Sequence, residues 1–173
     1  RIFFLSLQYW LSGSKENIHS LFCMLFLKYL KTKNSLDEFN DFYKPPKEYP
    51  DIGVYHPKIR GRISDELSKL PRVVPEKNKK GTVGLIVLRS YLLAGNTGHY
   101  DGVIAAFESS NIQVIPCFSM GLDARPAIEK FLYSGEEKKI DALVSLTGFS
   151  LVGGPAYNDS EAAKSILTKL NVP

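Results

Sequence analysis

The sequence predicts an α/β protein in which residues 82–173 form a doubly wound, flavodoxin-like layer with a parallel sheet, preceded by a smaller α/β segment. Three observations predict it. Apolar runs such as "GLIVL" and "ALVSL" show no polar alternation, as in strands covered on both faces. Helical stripes stand between and after them, Tyr100, Val103, Ile104 and Phe107 in one and Ala163, Ile166, Leu167 and Leu170 in another. The patterns alternate as βαβαβα, which places crossover helices on a parallel sheet.

Along the chain, "IFFLSL" (Ile2 to Leu7) reads as a strand and "QYWLSG" as a loop. A helix is expected from about Lys15 to Lys31, capped by Ser14, with Ile18, Leu21, Phe22, Leu25 and Tyr29 on one face. A short helix around Asp37 to Phe42 follows. The prolines of "YKPPKEYP" then forbid regular structure, because they remove donors and restrict their predecessors. "DIGVYHP" reads as a short strand, and Ser64 of "ISDELSKL" as a cap before one or two helical turns. "PRVVPEKNKKG" reads as a linker over about 71–81, which sets a boundary near residue 80 between a segment 1–80 and a domain 82–173. In that domain the expected elements are strand Val83 to Leu88, helix Gly98 to Ser109, strand Ile112 to Phe118, helix Arg125 to Tyr133, strand Ala142 to Leu146 and helix Ser160 to Leu170.

Composition narrows the function classes. With 44% apolar and 23% charged residues in 173, the chain is ordinary globular material. The net charge of +4 is dispersed, and the one dense basic cluster, Lys77 to Lys80, sits in the linker, so nucleic acid is not an expected partner. Cys23 and Cys117 lie in apolar runs as small buried hydrophobes, which fits a reducing compartment. The longest apolar run, Leu21 to Leu27, falls well short of the roughly 20 residues a bilayer requires, so no transmembrane segment is expected. The chain opens without Met in what reads as a core strand and stops at "LNVP", so it reads as an internal slice of a longer protein.

Ligands of open parallel sheets bind beyond the carboxyl ends of the strands, which selects three loops: "YLLAGNTGHY", "SMGLDARP" and "TGFSLVGGPAYND". Their glycines let backbone N–H groups approach a ligand, and a carboxylate or phosphate suits such an edge. The candidate substrate-binding residues are Asn96, Thr97, His99 and Tyr100 in the first, Asp123 and Arg125 in the second, and Thr147, Gly153, Gly154 and Tyr157 in the third. His99 is the candidate for a catalytic role, since an imidazole can ligate, donate or carry a proton near neutral pH; its alternative is a structural hydrogen bond. Asn96 and Thr97 also read as helix caps, and Asp123 with Arg125 as a cap and an anion contact, with a local ion pair at a helix start as the alternative. His56 reads as a turn residue, His19 as packed, and Gln8 to Trp10 as aromatic surface for a macrocycle or for core. The three histidines share no metal-ligand spacing, so no metal site is expected. "GNTG" lacks the dinucleotide spacing and there is no phosphate loop, so the segment is not expected to bind ATP.

"LSLQYWLSGSKEN", "GVYHPKIRGRISDELSKLP", "VGLIVLRSYLLAGNTGHYDGVIAAFESSNIQVIPCFSMGLDARPAIEKFL" and "DALVSLTGFSLVGGPAYND" together resemble the large porphyrin-binding H subunits of the magnesium chelatase family, most closely their bacteriochlorophyll-pathway form. Tyr91 and the "ARP" of residues 124–126 depart from the plant and cyanobacterial branch, and the cobaltochelatase large subunits are the nearest confusable relatives. The resemblance implies ATP-dependent insertion of Mg²⁺ into protoporphyrin IX. Mg²⁺ and ATP would be substrates of the complex, with ATP hydrolysed by the AAA+ I and D partner subunits and no cofactor bound by this segment. It also implies a cytoplasmic location in a photosynthetic bacterium, or the plastid stroma in a eukaryote. A non-catalytic porphyrin-carrying or interaction domain is the alternative role.

Overall fold

The computed structural model describes residues 1–29, 44–135, 137–154 and 156–173. The contacts divide it into two units, residues 1–49 with 90–96, and residues 50–89 with 97–173.

The first unit opens with two helices, α1 (Ile2–Ser12) and α2 (Lys15–Tyr29). The strand expected at Ile2 to Leu7 is therefore helical, and the first βα unit is a helical hairpin. A six-residue apolar run has no periodicity of its own to separate helix from strand. Gly13, at φ 53°, ends α1 by donating its N–H to the Tyr9 carbonyl, which lets α2 begin two residues later. Ser14 caps α2 as expected, its Oγ accepting the Asn17 N–H at 3.1 Å. The buried face of α2 is carried by Asn17, Ser20, Leu21 and Met24, whereas Phe22 and Tyr29 of the predicted face are exposed. Asn17 fixes that rotation: its side chain exchanges two 2.8 Å bonds with the Lys47 backbone. The expected helix at Asp37 to Phe42, and the end of the second helix beyond Tyr29, lie outside the described residues.

The second unit is built on a five-stranded sheet. Its strands are β1 (Ile52–Tyr55), β2 (Ile63–Ser64), β3 (Gly81–Ile86), β4 (Ile112–Ser119) and β7 (Ala142–Ser145), in the order β2-β1-β4-β3-β7. β3 pairs in parallel with both β4 and β7. This is the second-first-third order of a flavodoxin-like sheet, so the expected architecture holds. β1, however, joins the same sheet antiparallel to β4, with Ile52 opposite Ser119. The boundary expected near residue 80 thus falls inside one unit. Pairing with a neighbouring strand, invisible to local composition, outweighs the linker-like look of 71–81. That stretch carries a 3₁₀ turn at Glu76–Asn78, and Val74 in it is buried. "ISDELSKL" likewise yields strand β2 and a 3₁₀ turn at Leu67–Lys69, with Ser64 Oγ accepting the Glu66 N–H.

A short helix, α3 (Arg89–Ala94), which local reading took as loop, precedes α4 (Gly98–Ser109), and α5 (Arg125–Phe131) and α6 (Ser160–Leu170) follow. Val54, Ile86, Ile115 and Cys117 from the strands pack with Ala127, Ile128 and Phe131 of α5 and Ile166 and Leu170 of α6 in one core. Leu167 of the expected α6 stripe is 45% exposed. Tyr55, the alternate neighbour of Val54, bonds instead to Asp101 of α4, so α4 covers the opposite face of the sheet. Small hairpins form where β5 (Tyr133–Ser134) pairs with β6 (Glu137–Lys138), and β8 (Gly153–Gly154) with β9 (Tyr157–Asn158).

Candidate functional site

The order β4-β3-β7 creates a topological switch point at the carboxyl ends of β3 and β7, where the chain leaves for opposite faces. A cleft lies there, lined among others by Leu88, Ser119, Gly121, Asp123, Thr147 and Ser150. Its accessible volume is ≈ 20 Å³, room for one small polar group.

The loops after β4 and β7 are stitched together to form its wall. Ala124 N–H donates to the Leu151 carbonyl at 2.8 Å, Gly153 N–H to that of Leu122 at 2.9 Å, and Asp123 bridges to Val152. Gly153 adopts φ 112°, and a Cβ there would meet the Tyr157 carbonyl at 2.2 Å, so only glycine admits this hairpin. Gly154 is confined more loosely, since a Cβ there would come to 2.1 Å of a Leu122 methyl, the end of a flexible side chain that can move aside. Tyr157, opposite Gly154, leaves its ring 69% exposed.

Within the wall, both Asp123 oxygens are held by Arg125. Nε and Nη2 reach them at 2.6–3.1 Å and the Arg125 backbone N–H donates to Oδ1 at 2.9 Å. The Arg125 bond holds the Asp123 carboxyl below its ordinary range. The local ion pair is therefore what the structure shows, with Asp123 Oδ1 also accepting the first N–H of α5, whose N-cap residue Ala124 makes no side-chain cap bond. Thr147 Oγ1 accepts the Phe149 N–H at 3.2 Å and pairs with Ser145 Oγ at 3.1 Å. Ser150 Oγ turns back to its own loop, accepting from Val152 N–H and donating to its carbonyl. Ser119 is the exception: it is 8% exposed, and its Oγ has no hydrogen-bond partner among the described residues.

The first predicted loop is placed differently. Asn96 belongs to the first unit and is exposed, its N–H donating to the Tyr91 carbonyl, while Thr97 opens α4 in the second unit. Neither side chain caps α4; the buried Thr97 hydroxyl turns to Asp101 Oδ2 at 3.4 Å. A carboxylate in the first turn competes for the hydroxyl that a cap would use. His99 is exposed on α4 with its ring 3.9 Å from that of Tyr100. Tyr100 is fully buried and its hydroxyl accepts the Leu88 N–H at 3.2 Å, anchoring the helix to the end of β3. Within the second unit the structure thus gathers Asp123, Arg125, Thr147, Gly153, Gly154 and Tyr157 on the two stitched loops, and sets Thr97, His99 and Tyr100 at the start of α4, outside the cleft lining.

A second polar cluster lies behind α4. Asp101 accepts from the Tyr55 hydroxyl and from Arg62 Nη2 at 2.5 Å. Burial raises the Asp101 carboxyl, yet these bonds outweigh it and leave it below its ordinary value. Burial, then Asp101, pushes Tyr55 up to about 12. His56 is wholly buried: its Nδ1 accepts the Lys58 N–H at 3.1 Å, so Nε2 carries the hydrogen toward Glu108 at 2.9 Å. The turn reading of His56 missed that long-range partner, 52 residues away. Among the described residues no three His, Cys, Asp or Glu side chains converge as metal ligands, and no helix is long and apolar enough to cross a membrane.

Residues 7–173 match the family model described as CobN/Magnesium Chelatase. The chain belongs to this family. It is 49% identical over its full length to the magnesium-chelatase H subunit of Cereibacter sphaeroides, of which it covers 14%. It is 35% identical to the chloroplastic ChlH subunit of magnesium chelatase from rice (Oryza sativa subsp. indica), covering 13% of that protein. A solved structure, the catalytic subunit of cobaltochelatase from Mycobacterium tuberculosis, aligns over 82% of the chain and 10% of its own with a TM-score of 0.49 and 21% identity. The chain therefore spans about one seventh of the length of the magnesium chelatase subunits it matches.

Proposed function

We propose that this chain works as a segment of a magnesium chelatase H subunit, in the ATP-dependent insertion of Mg²⁺ into protoporphyrin IX for bacteriochlorophyll or chlorophyll synthesis. What supports the reading is identity of 49% across the entire chain, all three carboxyl-edge loops included. The reaction exchanges two pyrrole N–H protons for Mg²⁺, an ion that surrenders its waters reluctantly. An energy input is reasonable on those grounds, and AAA+ I and D partner subunits would provide it by hydrolysing ATP. The work would take place in the cytoplasm of a photosynthetic bacterium or in a plastid stroma.

The cleft is far too small to admit a macrocycle, so this segment would present a rigid edge to the porphyrin rather than enclose it. The stitched loops supply the rigidity, and His99 on α4 adds an exposed imidazole that can bind the macrocycle or accept a proton. Reconstitution of the full-length subunit with its partners, protoporphyrin IX and ATP should yield the Mg²⁺ product. His99→Ala or Thr147→Val should weaken porphyrin binding or slow chelation with the melting temperature unchanged. Turnover only with Co²⁺ and a corrin ring would transfer the segment to the cobaltochelatase branch. Unchanged affinity and rate in both variants would remove these residues from the site.

A further inference from the structure

Helix α1, "IFFLSLQYWLS", carries no charged residue and is apolar on both of its faces. The inner face packs Tyr9, with Ile2 and Leu5, against Leu21 and Met24 of α2. The outer face holds Phe3, Phe4, Leu7, Trp10 and Leu11, spaced by three and four so that they line one side, and each of them is 40–72% exposed. Gln8 is the one exposed polar residue of the helix. At ~200 Å² for each large side chain this is roughly 600 Å² of apolar surface in a single patch, the upper end of what a free protein leaves in water. It also approaches the ~800 Å² that each side contributes to a standard stable interface.

A helix that is apolar all round belongs inside a larger protein or in a membrane. The membrane does not fit. The 11 residues of α1 rise about 16 Å against a hydrocarbon core of about 30 Å, and a helix lying on the bilayer surface needs a Lys- and Arg-rich polar face, which α1 lacks. A partner that binds and leaves with each turnover does not fit either, because transient interfaces are mixed with polar groups whereas permanent ones are the most apolar. The permanent neighbour available is the subunit itself: the H subunit that this chain matches at 49% identity is covered over only 14% of its length.

We propose that the outer face of α1 is a permanent docking surface for another part of the same H-subunit polypeptide, an uncharged apolar surface that lies outside these 173 residues. The inference rests on the H-subunit reading above and adds an assembly contact to it. Phe3, Phe4, Trp10 and Leu11 are the anchors, being the largest and most exposed members of the patch.

The test uses the full-length subunit alone, oxidised briefly by hydroxyl radicals and read by mass spectrometry, and then the same subunit with a photoreactive benzophenone amino acid in place of Leu11. The footprint should show Phe4 and Trp10 as protected as Tyr9, which is buried in the same helix, while Tyr157, at 69% exposure, is labelled. On irradiation the crosslinked product should run at the mass of one subunit, with the link mapped outside residues 1–173. Phe4 and Trp10 labelled as readily as Tyr157 would overturn the proposal. Protection that appears only on adding the AAA+ I and D subunits, protoporphyrin IX or phosphatidylglycerol vesicles would overturn it in favour of that occupant. A product of dimer mass would give the face to a second copy, and a link back into residues 1–173 would close it within this segment; either result ends the proposal. Because the footprint is taken on the wild type, it decides even where the substituted helix fails to fold. The H-subunit reading fails separately: a reconstituted protein that inserts no Mg²⁺ yet keeps α1 protected would sink that reading and leave the docking contact standing.

Discussion

Asp101 shows how one side chain can hold two elements. It lies in the first turn of α4, and its oxygens gather Tyr55 at the end of β1, Arg62 in the following turn and Thr97 at the helix start. Arg62 adopts φ 67°, an uncommon conformation for a long side chain, and the ion pair helps to keep it there. Asp101→Asn should therefore cost roughly 1.5 to 3 kcal/mol near neutral pH by urea unfolding, the range for a hydrogen bond to a charged group. The folded carboxyl sits below its ordinary value of 3.8, so its contribution is present above that value and lost as the pH falls through the lower folded one. The gap between wild type and variant should accordingly narrow as the pH drops below 3.8. A gap independent of pH would mean that the charge contributes nothing. Cys117, by contrast, is wholly buried in the core, and burial pushes its thiol up to about 12, in keeping with a packed hydrophobe.

At the scale of elements, the β8–β9 hairpin closes the cleft wall and depends on one glycine. Gly153→Ala places a methyl 2.2 Å from the Tyr157 carbonyl on a backbone at φ 112°, where strain alone is of order 1 to 3 kcal/mol. The effect should be local. Hydrogen exchange should speed up at the amides of residues 124 and 153, which bond across the two loops, while those within β3 and β4 keep their protection. Loss of protection across the whole sheet would show that the hairpin supports the core rather than the edge. Gly53 in β1 is confined in a different way: a Cβ would lie 2.6 Å from the Phe118 ring and 2.7 Å from the Ser64 carbonyl, so the strands on either side of β1, β4 and β2, pack over a position that tolerates no side chain.

For the whole molecule, the second unit offers a sheet whose strands β4, β3 and β7 run parallel and whose carboxyl edge carries polar loops but no phosphate loop with its Lys and Ser/Thr. Titration calorimetry of this 173-residue chain with ATP and Mg²⁺ should give no micromolar binding, and a micromolar site would place part of the motor function in this segment. The first unit has another character. In α1 only Tyr9 is buried, and Phe3, Phe4, Trp10 and Leu11 are each at least 66% exposed.

Much of the second unit was legible from the chain alone. The α4 limits were read from the stripe Tyr100 to Phe107, and the parallel order of β3, β4 and β7 from unbroken apolar strands joined by helices, because periodicity and crossover rules act over neighbouring residues. Position along the chain likewise marked Asp123, Arg125, Thr147 and Gly153 as members of the loops at the carboxyl edge of the sheet. What only the tertiary structure decided is pairing over distance. Whether "IFFLSL" is helix or strand, whether β1 belongs to the sheet, and which partner His56 finds depend on groups far along the chain. Ser119 is the clearest case: at the end of an apolar strand it is one more serine, and its unmet hydrogen bond exists only once three loops have closed around it.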